Sequence, residues 1–176
     1  MKIIFVRHGE TDQNVEYKAG KPIIDKDFPL NDLGKKQVEE TAKNLKDEKI
    51  DLVITSPYLR ARMTTDIINK YHNVPVEIEN NFRERNVGLA DREAFHDFFD
   101  IDKNERPENG ETAREFFKRV YKAIEVLKEK FPDKTICIVA HGGVGHAFYA
   151  YFNNLEWRGN LRIDRMKNAE VRAYRD

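Results

Sequence analysis

The stretch KIIFVRHGETDQN, residues 2–14, carries an apolar run, Ile3 to Val6, straight into Arg7-His8-Gly9. Far down the chain TICIVAHGG, residues 135–143, repeats the arrangement and ends in His141-Gly142-Gly143. Short runs that are β-branched and apolar at consecutive positions read as strands covered on both faces, as in parallel sheets. LVI (52–54) is a third run of this kind. VPVEI (74–78) reads as a weaker, edge-like strand, because Pro75 has no N–H to give to a ladder.

Helical periodicity fills the spaces between. Residues 31–46 place Val38, Ala42 and Leu45 on one stripe, with Asn31 or Asp32 as N-cap. Residues 57–71 are predicted as a helix with Pro57 at its first position, and Ala61, Thr64, Thr65 and Ile68 share a face. Over 112–131, Thr112 and Glu115 form a capping box. Phe116, Val120, Ala123 or Ile124, Leu127 and Phe131 repeat behind it at helical spacing. A short helix is predicted over 143–153, and NLRIDRM and NAEVRAY in the tail read as one or two strands. This alternation predicts an α/β fold: three layers, α/β/α, around a mostly parallel central sheet. A chain of 176 residues suits one domain, 1–176, with an insert or lid at about 89–110.

Lys+Arg and Asp+Glu are both 31, so the net charge is zero. That balance argues against binding nucleic acid or an anionic membrane through bulk positive charge, while leaving room for a local basic pocket. Cys137 is the single cysteine, which excludes an internal disulfide framework and a cysteine metal cage. No apolar run approaches a membrane span or a signal h-region, so the cytoplasm is the expected compartment.

In open α/β sheets ligands sit beyond the carboxyl ends of the strands. Both His-Gly pairs fall there, and the LVI strand ends in TSPYLRAR, which brings Ser56, Arg60 and Arg62 to the same edge. Clustered guanidiniums suit a phosphate monoester dianion, whose oxygens match the arginine fork. Gly9, Gly142 and Gly143 let backbone approach closely and expose N–H groups. Neighbouring positive charge disfavours imidazolium, so a histidine here keeps the lone pair a nucleophile needs.

RHGET (7–11), SPYLRA (56–61), the late HGG (141–143) and the intervening PLNDLG and GET segments resemble, in order and over nearly the whole chain, the histidine phosphatase superfamily, branch 1, also called phosphoglycerate mutase-like. The resemblance implies the fold of that family and a metal-independent phosphatase that hydrolyses a small phosphorylated metabolite through a phosphohistidine on His8. By the same resemblance Arg7 and Arg60 grip the phosphoryl oxygens, His141 and Gly142 add donors, and Asn14 contacts phosphate. Glu84, in FRERNVG, takes the family's acid/base position. No metal and no cofactor are implied. The chain departs from the family at GLADREAF, where Asp91 and Arg92 stand in place of an expected Glu-Gly pair.

Each residue also has a plainer reading. A lone strand-end histidine is more often a satisfied core residue; two, each followed by glycine and flanked by arginine, reverse that. Glu84 competes with a solvated charge, Asn14 with a turn residue and Arg62 with a surface charge. His146 reads as packing or support, and His72 and His96 as exposed. Phe95, Phe98 and Phe99 suit either a lid face or the core stripe of a short helix. DIDKNERPENGE (100–111) places oxygens at calcium-loop positions but has Glu105 where the loop needs glycine, and reads as a polar loop. Alternatives to a phosphatase are a 2,3-bisphosphoglycerate-dependent phosphoglycerate mutase, a protein phosphohistidine phosphatase, a non-catalytic phosphate-binding protein on the same fold, and a histidine-ligated metal hydrolase. The last has poor ligand spacing. Compactness favours hydrolysis over mutase chemistry. Homodimer formation through an edge strand stays open.

Overall fold

The structure is a computed structural model that describes residues 1–21, 27–87, 99–163 and 165–175. Its sheet has the strand order β3-β2-β4-β1-β5. Here β1 is Lys2–Arg7, β2 Leu52–Thr55, β3 Val76–Ile78, β4 Thr135–Ala140 and β5 Val171–Arg175. The first four run parallel, and β5 lies antiparallel on the outside of β1. The helices are α1 Asp12–Lys18, α2 Asp32–Leu45, α3 Leu59–Asn69, α4 Ala113–Lys130 and α5 Gly142–Phe152.

Alternate residues of the buried strands face opposite layers. Ile3, Phe5, Ile54, Ile136 and Ile138 pack with the apolar stripes of α4 and α5. Ile4, Val6, Val53, Cys137 and Val139 pack with those of α2 and α3. The continuous apolar runs of β1, β2 and β4 therefore mean what they suggested: both faces are covered. Cys137 is fully buried, and burial pushes its thiol up to about 12.

Asn31 caps α2 by accepting the Gly34 N–H at 2.7 Å, and Thr112 and Glu115 close the capping box of α4. Three expectations need correction. Pro57 is not the first helical residue; α3 begins at Leu59 behind an N-cap at Tyr58. Its leading N–H is taken instead by the Asp27 carboxylate, at 2.8 and 2.9 Å. NLRIDRM is not a strand among its described residues but an irregular connection from α5 to β5. His72 is half-buried rather than exposed. In addition α1, a helix of 7 residues, went unpredicted.

Of the 89–110 insert, residues 99–110 are described; Phe95, His96, Phe98, Asp91 and Arg92 lie outside the described residues. Phe99 is buried against Phe116 and His146, which places it in the core. The oxygens of the calcium-like stretch serve local structure. Asp100 caps the Asp102 and Lys103 N–H groups, Asn104 accepts from the Arg114 N–H, and Glu111 pairs with Arg119 at 2.6 Å.

Candidate active site

Parallel pairing of β1 with β4 runs in register from Lys2↔Thr135 to Arg7↔Ala140. The next residue on each strand is His8 and His141, and the ladder continues with the His8 N–H on the Ala140 carbonyl at 2.9 Å. The two histidines are therefore neighbours by register, with ring centroids 5.2 Å apart. Pairing of β2 with β4 brings Ser56 alongside, its N–H on the Val139 carbonyl at 3.0 Å.

The ring nitrogens are used in opposite ways. His8 Nδ1 lies 2.7 Å from the Gly9 carbonyl. A carbonyl only accepts, so Nδ1 carries the proton and Nε2 keeps a lone pair. His141 Nε2 lies 2.6 Å from Ser56 Oγ, while its Nδ1 is buried with no hydrogen-bond partner. Both pKa values fall well below the usual imidazole range. For both, burial is the leading cause and the Arg60 guanidinium the next; Arg7 adds to each.

A cleft of about 310 Å³ opens in front of His8. Among the described residues six cationic side chains line it, Arg7, Lys18, Arg60, Arg85, Arg162 and Arg165, against one carboxylate, Glu84. A chain of zero net charge thus concentrates positive charge at one sheet edge. Arg7 donates from Nη1 to the Met166 carbonyl at 2.5 Å, and its Nε is buried without a partner. Arg60 lies over the Tyr58 ring, 4.7 Å from its centroid, and its Nη1 stands 3.6 Å from Asp27 Oδ1. Arg62 is exposed.

Glu84 lines the same cleft. Its Oε2 accepts the Gly143 N–H at 2.9 Å and its Oε1 the Arg85 N–H at 3.0 Å. A Cβ on Gly143 would stand 2.2 Å from Glu84 Oε1, so that glycine makes room for the carboxylate. One on Gly142 would meet nothing closer than Arg7 Nε at 3.5 Å, an ordinary contact. The expectation that the glycine N–H groups stand open for a ligand is corrected at two of three positions. The Gly143 N–H holds Glu84, and the Gly9 N–H donates to Thr64 Oγ1 at 3.3 Å.

Asn14 is both a helix-start residue and a cleft residue. Its Oδ1 accepts from the Thr11 N–H and from Asn168 Nδ2, each at 3.1 Å, and it lines the cleft. His146 is a support: Nδ1 bonds the Ile163 carbonyl, and burial lowers its pKa to about 4. Reading the sequence missed Asp27, Arg85, Arg162, Arg165 and Asn168. Only Asp27 and Asn168 left a local trace, as a cap-forming residue and a turn residue.

The family model of the histidine phosphatase superfamily (branch 1) matches residues 3–175. The chain belongs to that superfamily. It is 36% identical over 146 residues to the protein named uncharacterized phosphatase PhoE of Bacillus subtilis, a match covering 82% of this chain and 74% of that protein. It is 31% identical over 174 residues to a metal-independent phosphoserine phosphatase of Arabidopsis thaliana, covering 91% of this chain and 72% of the relative. Among solved structures, Bacillus stearothermophilus YhfR superposes with a TM-score of 0.84 at 22% identity, over 98% of this chain and 89% of that one. A mycobacterial glucosyl-3-phosphoglycerate phosphatase solved with VO3 gives 0.82 at 23% identity, over 98% and 90%. Those two likenesses confirm the phosphoglycerate mutase-like α/β fold. No helix among the described residues is long and apolar enough to cross a membrane.

Proposed function

We propose that this chain is a phosphoric monoester hydrolase that cleaves small phosphorylated metabolites through a phosphohistidine on His8. The observation that carries the reading is the fixed tautomer of His8, whose Nε2 lone pair opens onto a cleft lined by guanidiniums. The named phosphatases among its relatives support the reaction class.

In the first step the His8 Nε2 lone pair forms a P–N bond as the P–O bond to the leaving group breaks. Glu84 gives the departing alkoxide its proton. In the second step Glu84 takes a proton from water, the hydroxide oxygen bonds phosphorus, and the P–N electron pair returns to Nε2. Alcohol and inorganic phosphate are the products. Arg7 and Arg60 hold the equatorial oxygens, with the Asn14 amide and the Gly142 backbone at the rim. Arg7 Nε and His141 Nδ1, both buried and without partners, gain one when a phosphoryl group arrives; unmade bonds of this kind are costly until then. His141 acts as a neutral donor. Ser56 Oγ takes the Tyr58 N–H at 3.4 Å and gives its own proton to Nε2, which leaves the ring proton on Nδ1.

Hydrolysis of an aryl phosphate in excess chelator, with an acid-labile label on the native chain and none after His8→Ala, is the expected result. Native protein without turnover, or His8→Ala with full turnover, overturns the reading. A phosphoglycerate mutase would instead return isomerised phosphoglycerate.

A further inference from the structure

Glu84 lies on irregular backbone. A short 3₁₀ turn, Asn80–Phe82, precedes it, and residues 84–87 belong to no helix or strand. Such a stretch has no ladder to hold it, so its course is set by whatever takes its N–H and C=O groups. Two residues do so here, one just before α4 and one inside it. The Glu111 N–H donates to the Asn86 carbonyl at 3.2 Å. The Glu111 carbonyl accepts Arg85 Nε at 3.1 Å and Arg85 Nη2 at 2.8 Å, and Glu111 Oε1 accepts the Asn86 N–H at 3.3 Å. The same carboxylate receives Arg119 side-on, Nε on Oε2 at 2.9 Å and Nη2 on Oε1 at 2.6 Å. Arg119 in turn donates from Nη1 to the Asn81 carbonyl, and from Nη2 to the Glu84 carbonyl at 3.4 Å.

The pair thus grips the chain on both sides of Glu84: the backbone at 81, 84 and 86, and the Arg85 side chain. Its other end is fixed in the core. Arg119 lies over Phe116, 4.8 Å from the ring centroid, and the capping box of Thr112 and Glu115 sets where its helix starts. The Arg119 and Glu111 side chains are 14% and 19% exposed, so water screens this pair less than an ion pair on the surface. Neither residue is among the described residues that line the cleft. Yet the Arg85 N–H that Glu84 Oε1 accepts belongs to the clamped stretch. A general acid works only within hydrogen-bond reach of the atom it protonates, about 2.6–3.2 Å, so a slack backbone at 84 would carry the carboxyl out of range.

We infer that Glu111 and Arg119 are positioning residues for the Glu84 carboxyl, and that losing either slows departure of leaving groups that need a proton while sparing those that need none. This inference rests on the proposed acid role of Glu84, and separate variants test the clamp and the role.

The measurement is kcat/KM, which reports the steps through departure of the leaving group and not the later hydrolysis of phosphohistidine. The substrates are 2,4-dinitrophenyl phosphate, which leaves as a stable anion, and 2-phenylethyl phosphate, whose alkoxide must be protonated. In Glu84→Gln the alkyl ester is expected to lose about 10²-fold and the dinitrophenyl ester less than about threefold. In Glu111→Gln and in Arg119→Lys, each confirmed as folded by its melting curve, the alkyl ester is expected to lose about tenfold and the dinitrophenyl ester less than about twofold. Adding Glu111→Gln to Glu84→Gln is expected to change either ester by less than about twofold, because the two act through one carboxyl. Equal losses on both esters in the clamp variants mark a merely structural pair and overturn the inference. So does an unchanged alkyl rate in both, or a full tenfold loss on top of Glu84→Gln. If Glu111→Gln does not fold, Arg119→Lys alone decides. If Glu84→Gln treats both esters alike, its acid role falls and the clamp's role with it; if native protein turns over neither ester, the phosphatase reading itself falls.

Discussion

The two His-Gly strand ends look alike in sequence and are built for different tasks. At the end of β1, Gly9 lacks a side chain because α2 presses on it. A Cβ there would stand 2.5 Å from the Gly34 carbonyl oxygen and 2.7 Å from Val38 Cγ2. At the end of β4, Gly143 lacks one because Glu84 occupies the space. The imidazoles differ in the same spirit. His8 spends Nδ1 on its own loop and offers Nε2; His141 spends Nε2 on Ser56 and leaves Nδ1 unpaired. One strand end presents an imidazole with an open Nε2, the nucleophile of the proposed reaction, on a tightly packed backbone. The other presents a donor and a seat for a carboxylate.

The largest expected effect breaks that asymmetry at its chemical end. His8→Ala removes the ring nitrogen proposed to attack phosphorus, and kcat is expected to fall by more than about 10³ in an aryl phosphate assay, a loss of roughly 4 kcal/mol in barrier terms. His141→Ala leaves the nucleophile in place, so some acid-labile labelling should persist. Labelling of His8→Ala at native level would reverse the two roles.

The glycines give a crossed pair. Gly143→Ala meets the far end of a flexible side chain, so Glu84 moves and the fold stays. A loss of about 10²-fold in kcat is expected, in line with general acid–base contributions, with a nearly unchanged melting temperature. Gly9→Ala meets backbone. Overpacking of that kind costs about 1–3 kcal/mol, so a melting temperature several degrees lower is expected. Equal melting losses in both variants would mean that the two glycines do the same job.

The same contrast explains how much the sequence disclosed. Whatever depends on strand register was legible. Arg7, His8, Ser56 and His141 lie at or next to the ends of apolar runs, and parallel pairing leaves few ways to place them apart. Helix stripes were legible because periodicity is local, down to the Thr112–Glu115 box of α4. The α5–β5 connection was not. LRIDRM alternates like a strand, yet Leu161 and Met166 are buried and the backbone groups of Leu161, Ile163 and Met166 bond Phe99, His146 and Arg7, groups distant in sequence, instead of a ladder partner. Asp27 likewise acts only once α3 is packed beside it. The departure at Asp91 and Arg92 falls outside the described residues.

Ser56→Ala sharpens the comparison at a smaller scale. It leaves His8 alone and frees the His141 tautomer. Supporting hydrogen bonds of this type are worth about 10- to 100-fold at metal sites, and a loss near the lower figure is expected in kcat with KM little changed. Ser56→Thr, which retains the hydroxyl, should recover part of it if the added methyl is accommodated. A purely structural serine would instead lower the melting temperature of Ser56→Ala and leave kcat intact in the folded protein.

The smallest effect is in stability against pH, and it sets the two strand-end histidines beside His146. His8, His141 and His146 all have folded pKa values below the ordinary 6.5. The unfolded chain therefore binds more protons than the folded one as pH falls below 6.5, and the stability that neutral histidines contribute is present above that value and lost beneath it. Each such histidine adds a slope of at most about 1.4 kcal/mol per pH unit. The carboxylates with lowered values, Glu10, Glu48, Asp51 and Glu115, act below about pH 4.5, so pH 6 to 5 isolates the histidines. Urea unfolding across that window should show stability dropping with pH in the native chain. His146→Asn removes a group that stays neutral down to about 4 while keeping a donor for the Ile163 carbonyl, so its slope should be shallower by about one proton. A slope equal to the native one, or stability that rises as pH falls, would mean that His146 is not held neutral against that carbonyl, and the anchoring of the α5–β5 connection would need another source.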